Sequence, residues 1–332
     1  MMVFDIAMSS LGLVIPTLNS RRYLQRHVEG LMPWLDRVGE IVVVDSHSMD
    51  GSVEFLRQRL PHPNLRIIQH PPGLYASWNH GINQLQTDYF IMSTTGDTIN
   101  REGVESLLRC AVDGQCDIVL SKPVFRDLQD RVREIRWPID DIIDGLAPNG
   151  RRFLTGLEAM VYAVGRPESA LLGSSASNLY RTTFFKQRPF PADWGGGGDG
   201  AWVWHYVAEA RWGALAGSCS TFLIHPPQSH KKDLQLSAKH KLDEVIERSV
   251  ERWVRDGALT PEELALIEWP KLLKTFRGYL DSKKRFDGNR RRKGIWFLRP
   301  SAWMQRMARK RARRKLLESR DHALRVLEVL SL

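Results

Sequence analysis

The sequence predicts an α/β domain on a mainly parallel sheet with helices on both faces, continued by a helical, basic C-terminal extension. Three observations predict it. Short apolar runs alternate with stretches of helical length through the first 121 residues, the alternation fades beyond residue 122, and positive charge collects from residue 283 onward. Strands separated by helices imply right-handed crossovers and a sheet covered on both sides.

The elements follow in order. LGLVIP (11–16), EIVVVD (40–45), LRIIQ (65–69), DYFIMS (88–93) and DIVLS (117–121) are apolar, often β-branched and bounded by turn residues, so they read as strands. Segments 20–35, 51–60, 75–86 and 101–112 lie between them with helical length, and Asn19 or Ser20 is placed to cap the first. These strands and helices make residues 1–121 one half of the domain. Residues 122–232 mix Pro, Gly and aromatics irregularly, as long functional loops do, and make the second half. Residues 233–332 form the extension. Its LDEVIERSVERWV carries apolar positions at helical spacing, and the closing HALRVLEVLSL forms a further apolar-periodic helix.

Composition narrows the class. A 332-residue chain that is 42% apolar with 11 Trp can bury a full core. Cys110, Cys116 and Cys219 fit neither a disulfide framework nor a zinc spacing, and read as small core residues in a reducing cytoplasm. The N-terminal stretch has no basic segment followed by a long apolar run, so no secretory signal is expected, and no run of about 18 apolar residues predicts a membrane span. The net charge of +10 is uneven: residues 283–320 alone carry +14, leaving the remainder at −4.

In open α/β sheets, ligands bind beyond the carboxyl ends of the strands. Here those ends carry Thr17 and Asn19, then Asp45, Ser46 and Ser48, then the run Thr94 to Thr98 with Gly96 and Asp97. Each alone is an ordinary turn former. Together, after strands one, two and four, they place hydroxyls, an amide and two carboxylates on one rim.

EIVVVDSHSMDGSVEFL followed by PGLYASWNHGINQLQTDYFIMSTTGDTI resembles the family 2 glycosyltransferases of GT-A fold, in particular bacterial members of polysaccharide or lipopolysaccharide assembly. Asp45, Ser46, Ser48, Asp50, Gly51 and Ser52 carry the first part of the resemblance; Gly73, Leu74, Tyr75, Asn79, Gly81 and Ile82 the second; Gly96 and Asp97 the third. A fourth part, GGGGDGAWVWHYV, places Asp199 and Trp204 at matching positions. The chain departs from the usual pattern in offering one acidic residue, Asp97, where a D-x-D group is common, in Ala76 where Asp is usual, and in Ser46.

The resemblance implies an inverting sugar transfer from a UDP-, GDP- or dTDP-sugar to a saccharide or lipid-linked saccharide. Mg²⁺ or Mn²⁺ would neutralise the departing diphosphate, held by Asp97 with His225 as a further ligand. Asp199, after the run Gly195–Gly198, would be the general base, in a loop able to close over substrates. Pro16, Thr17, Asn19, Asp45 and Ser46 would surround the nucleotide with Gly96 and Asp97, and Asn79 would reach the donor sugar. Trp194 and Gly198 would face the acceptor. The local alternatives are helix capping for Asp97 and Asp199, a surface position for Asn79 and a solvated loop residue for His225.

The stretch GIWFLRPSAWMQRMARKRARRKLLESR combines aromatics with dense Arg and Lys, which suits an anionic membrane surface and a peripheral place on the inner face of the plasma membrane; a solvated charged helix is the plainer reading. No nucleic-acid-binding module is recognisable, so no nucleic-acid partner is expected. Two other classes stay open. A nucleotidyltransferase would carry glycines after the first strand, which IPTLNSRRYL lacks, and an inactive membrane-docked binding module would keep the fold alone.

Overall fold

The computed structural model describes residues 10–165, 171–217, 220–224, 242–290 and 300–330. Its strands are β1 (Leu11–Thr17), β2 (Glu40–Asp45), β3 (Leu65–Gln69), β4 (Tyr89–Met92), β5 (Thr98–Ile99), β6 (Ile118–Ser121), β7 (Val124–Arg126), β8 (Val132–Arg133), β9 (Arg151–Leu154), β10 (Leu179–Arg181), β11 (Trp212–Leu215) and β12 (Ser220–Leu223). Helices α1 (Arg21–Leu31), α2 (Ser52–Arg59), α3 (Leu74–Gln84) and α4 (Arg101–Asp113) alternate with the first strands. Then come α5 (Pro138–Ile142), α6 (Gly156–Gly165), α7 (Thr182–Gln187), α8 (Gly198–Tyr206), α9 (Leu242–Arg255), α10 (Pro261–Leu266), α11 (Trp269–Arg290) and α12 (Pro300–Leu330).

The central sheet runs β3-β2-β1-β4-β10-β6-β11-β9. Its first four strands are parallel, as the alternation predicts. The next of the apolar runs, β6, is not β4's neighbour. The short β10 enters between them antiparallel to both, and β9 adds a further antiparallel edge. The sheet is thus mixed beyond β4, and a second sheet of order β5-β12-β7-β8 stands beside it. Three-residue β10 carries too little periodicity to be seen in sequence.

Period-two alternation divides the apolar residues between two cores. Leu11, Leu13, Ile15, Ile41 and Val43 face α1, α2 and α4, whereas Val14, Val42 and Val44 face α3 and the second half. Burial on both sides explains why β1 and β2 read as unbroken apolar runs. The second core continues without a break into Ile246, Trp253, Leu272, Phe276, Leu316 and Ala323, so the C-terminal helices share the body's core. Trp204 of α8 meets the Phe276 ring at 6.1 Å. Arg320 of α12 reaches Asp141 of α5 at 2.5 Å, with side-chain exposures of 12% and 6%. Cys110 and Cys116 are buried, as expected of small core residues; Cys219 lies outside the described residues.

Candidate active site

The chain leaves β1 for β2 on one side while β4 lies on the other, so the sheet's order reverses between β1 and β4. A crevice forms at such a switch point beyond the carboxyl ends. Thr95 Oγ1 donates to the Pro16 carbonyl at 3.2 Å and closes its floor. Gly96 has φ of 100°, a backbone conformation that glycine adopts without strain.

On the β1–β2 side, Thr17 and Asp45 lie opposite each other in register and are buried. Asp45 Oδ2 accepts the Ser48 N–H at 3.0 Å, while Asp45 Oδ1 and Thr17 Oγ1 are buried with no hydrogen-bond partner. Two orphaned polar atoms on neighbouring strand ends are costly unless something satisfies them. Ser46 Oγ contacts Ser77 Oγ at 3.2 Å, and Ser77 in turn lies 3.5 Å from His70 Nδ1. Asn19 takes φ of 48° and accepts the Met49 N–H through Oδ1. It braces the turn after β2. The expected cap of α1 comes from across the rim, because Asp50 accepts the Arg21 N–H and Ser52 Oγ the Ser20 N–H.

Asp97 differs from expectation. Thr94 Oγ1 donates to Oδ2 at 2.6 Å, the Leu223 N–H of β12 donates to Oδ1 at 2.8 Å, and the residue is 6% exposed. It ties the turn after β4 to the second sheet. Burial, opposed by those two hydrogen bonds, pushes its pKa from 3.8 up to about 7. His27 clamps the same turn: Nδ1 lies 3.1 Å from the Asp97 carbonyl and Nε2 3.2 Å from Ser93 Oγ. Burial lowers that histidine's pKa to about 4. Asp97 does not cap α4, a role taken by Asn100 through the Gly103 N–H.

A divalent cation asks for accessible carboxylate oxygens. Asp97 is enclosed with both oxygens engaged, and among the described residues no group of three His, Cys, Asp or Glu is placed to hold a metal. The described donors therefore do not fit a resident Mg²⁺ or Mn²⁺. His225 lies outside the described residues.

Asp199 is the second residue of α8, following the N-cap Gly197, and is half-buried. Its carboxylate accepts the Gly200 N–H at 2.7 Å and the Tyr75 hydroxyl, while its own N–H donates to that hydroxyl. Burial raises the Asp199 pKa, and the hydrogen bonds from Gly200 and Tyr75 oppose the rise. Burial, with the charge of Asp199, pushes the Tyr75 hydroxyl well above its ordinary value. Tyr75 sits in the first turn of α3, 3% exposed and stacked on Phe190 at 5.6 Å. The sequence contains it within the G-L-Y string but gives no sign of its partner, which lies 124 positions away. A Cβ on Gly198 would come within 2.4 Å of the Tyr75 ring and 2.6 Å of the Pro191 carbonyl. Gly198 is therefore a seat for Tyr75.

The Asn79 amide is likewise engaged within the fold. Its Nδ2 donates to the Phe190 carbonyl at 2.8 Å and its Oδ1 accepts the Phe190 N–H at 2.9 Å. Both ends of the amide fix the strap leading to α8, which is why Asn stands inside α3. Trp194 is half-buried in the short 3₁₀ segment Ala192–Gly197, whereas Trp202 is fully buried on Phe185, ring to ring at 4.6 Å. The two carboxylates expected to share one cleft are held by different elements, Asp97 by β12 and Asp199 by α3. A cavity of about 620 Å³ opens beside the second sheet, lined by Lys122, Phe125, Arg133, Arg136 and Asp140 among others, with neither carboxylate in its wall.

Residues 13–164 match the family described as glycosyl transferase family 2. That match takes in β1 to α6, the half of the chain that holds the switch-point crevice. Over 109 residues it is 30% identical to the glycosyltransferase GlyA of Streptococcus pneumoniae; that stretch is 32% of this chain and 16% of GlyA, so the chain spans less than a fifth of that relative. Among solved structures, Staphylococcus aureus TarS 1-349 in complex with UDP-GlcNAc superposes with a TM-score of 0.53 at 16% identity, covering 93% of this chain and 91% of that one. The full TarS structure gives 0.52 at 18% identity, with coverage of 93% and 55%. At such identity the likeness is one of fold. The chain has the GT-A architecture, its central sheet flanked by helices and followed by a helical C-terminal region.

Proposed function

We propose that this chain transfers a sugar from a nucleoside-diphosphate donor to a hydroxyl of a saccharide or lipid-linked saccharide, with inversion at the anomeric carbon and Asp199 as general base. The geometry of Asp199 carries this reading. Its half-buried carboxylate is oriented by the Tyr75 hydroxyl and has a pKa raised by burial. A carboxylate of raised pKa is a stronger base, better matched to an alcohol near neutral pH than an exposed one.

The acceptor oxygen attacks the anomeric carbon as its proton passes to the Asp199 carboxylate. The bond from that carbon to the diphosphate oxygen breaks on the opposite face, and the nucleoside diphosphate leaves with the electron pair. Attack from one face and departure from the other invert the centre. Thr17 Oγ1 and Asp45 Oδ1, buried and unpartnered at the switch point, would receive hydrogen bonds from base or ribose. Pro16, Asn19, Ser46 and Gly96 shape the rim around them. Trp194 would offer an aromatic face to the acceptor sugar. Members of the family generally use a divalent ion; no step here runs through one, since the described donors do not fit it.

UDP-sugars are the first donors to test, because UDP and UDP-GlcNAc are what the TarS complexes contain. Calorimetric titration with UDP-, GDP- and dTDP-sugars, with and without Mn²⁺, should give one nucleotide class that binds, and Asp45→Asn should weaken it by about tenfold. Absence of binding by every class would overturn the reading in favour of a binding module that keeps only the fold.

A further inference from the structure

The N-terminal half of α12 presents a surface that the proposed transfer reaction does not use. At about 100° per residue, Trp303, Arg306, Lys310, Arg311 and Arg314 fall on one side of this helix, and all are exposed. Leu316, Ser319 and Ala323 fall on the other and are buried, where α12 packs on α11 and α6. The basic side therefore faces away from the body. Between Pro300 and Leu317 there is no acidic residue; the first is Glu318, which pairs with Arg314 at 3.4 Å. Trp303 and Met304, at the start of the helix, are 64% and 65% exposed.

We infer that this face docks the protein on an anionic lipid bilayer. Two features combine. Lys and Arg along the exposed side are drawn to anionic headgroups, and a tryptophan beside a methionine at one end enters the headgroup–acyl boundary, the usual division in interfacial helices. An exposed tryptophan can also stack on an unpaired base, but the methionine beside it has no such use and suits the acyl boundary, so the pair favours the bilayer over nucleic acid. No described helix is long and apolar enough to cross a membrane.

The test uses the full chain with vesicles of phosphatidylcholine alone or mixed with phosphatidylglycerol. The chain should sediment with the mixed vesicles and not with phosphatidylcholine. A Lys310→Glu, Arg311→Glu, Arg314→Glu variant should lose on the order of a hundredfold or more in partitioning. Trp303→Ser should weaken binding and abolish the blue shift in tryptophan emission that the wild-type chain gives with vesicles. These positions are exposed, so unchanged thermal unfolding of each variant is expected and separates lost docking from lost fold. Equal partitioning to both vesicle types would overturn the proposal. So would full retention by Trp303→Ser together with tight binding to RNA, which would mark the face as a general polyanion surface.

Discussion

Tyr75 and Asp199 carry most of the account at the scale of single residues. Tyr75 touches the carboxylate rather than the reacting atoms, so it is a positioning residue, and its hydrogen bond holds the Asp199 pKa below what burial alone would give. Removing the hydroxyl therefore raises that pKa further, and the base loses its proton only at higher pH. Tyr75→Phe should shift the acid limb of the kcat/KM profile upward in pH and lower kcat, with donor affinity unchanged. A profile lowered without a shift would make Tyr75 a packing residue only. The sequence placed Asp199 correctly at the opening of a helix but could not pair it with Tyr75, since the contact depends on α3 and α8 meeting through Gly198. Asn79 shows the same limit. Its unfavourable place in a helix signalled a polar duty, whereas the partner, the backbone of Phe190, is set by tertiary packing alone.

The elements themselves were legible where periodicity is long. The first four strands and helices have boundaries within a few residues of the sequence reading, helped by the continuous apolar runs of β1, β2 and β4, which are buried on both faces. The second sheet was invisible, its strands being two to four residues long. That omission explains the reading of Asp97: without β12, nothing in the sequence occupies its carboxylate. As a tie between sheets, Asp97 has a pH signature. Its folded-state pKa of about 7 lies above 3.8, so the stability it contributes is fully present below about pH 4 and is lost as pH rises through 7. Asp97→Asn keeps an acceptor for the Leu223 N–H and cannot ionise. The unfolding temperature of Asp97→Asn relative to the wild type should therefore rise between pH 5 and pH 8, read by calorimetry. A constant difference across that range would place the carboxylate in contact with solvent.

The whole molecule joins a two-core α/β body to C-terminal helices that share one of its cores. Charge asymmetry marked the extension in sequence but concealed how firmly it is held, because its anchoring residues are a minority among many exposed bases. Arg320 is one such anchor, lying against Gly165 and paired to the buried Asp141. Breaking a buried pair leaves a charge uncompensated, typically at about 3–5 kcal/mol; Arg136 also reaches Asp141, so Arg320→Gln should destabilise by less, about 1–3 kcal/mol in denaturant unfolding. A loss confined to α12, with the body's unfolding unchanged, would show that the extension is a separate unit.

The central claim is that the Asp199 carboxylate takes the acceptor's proton, and the most direct measurement compares donor affinity with transfer rate in Asp199→Asn. The substitution keeps size and hydrogen bonding but removes the base. The donor Kd should stay within about twofold of wild type while kcat falls by about 10²–10⁴-fold. A variant that turns over at the wild-type rate would contradict it.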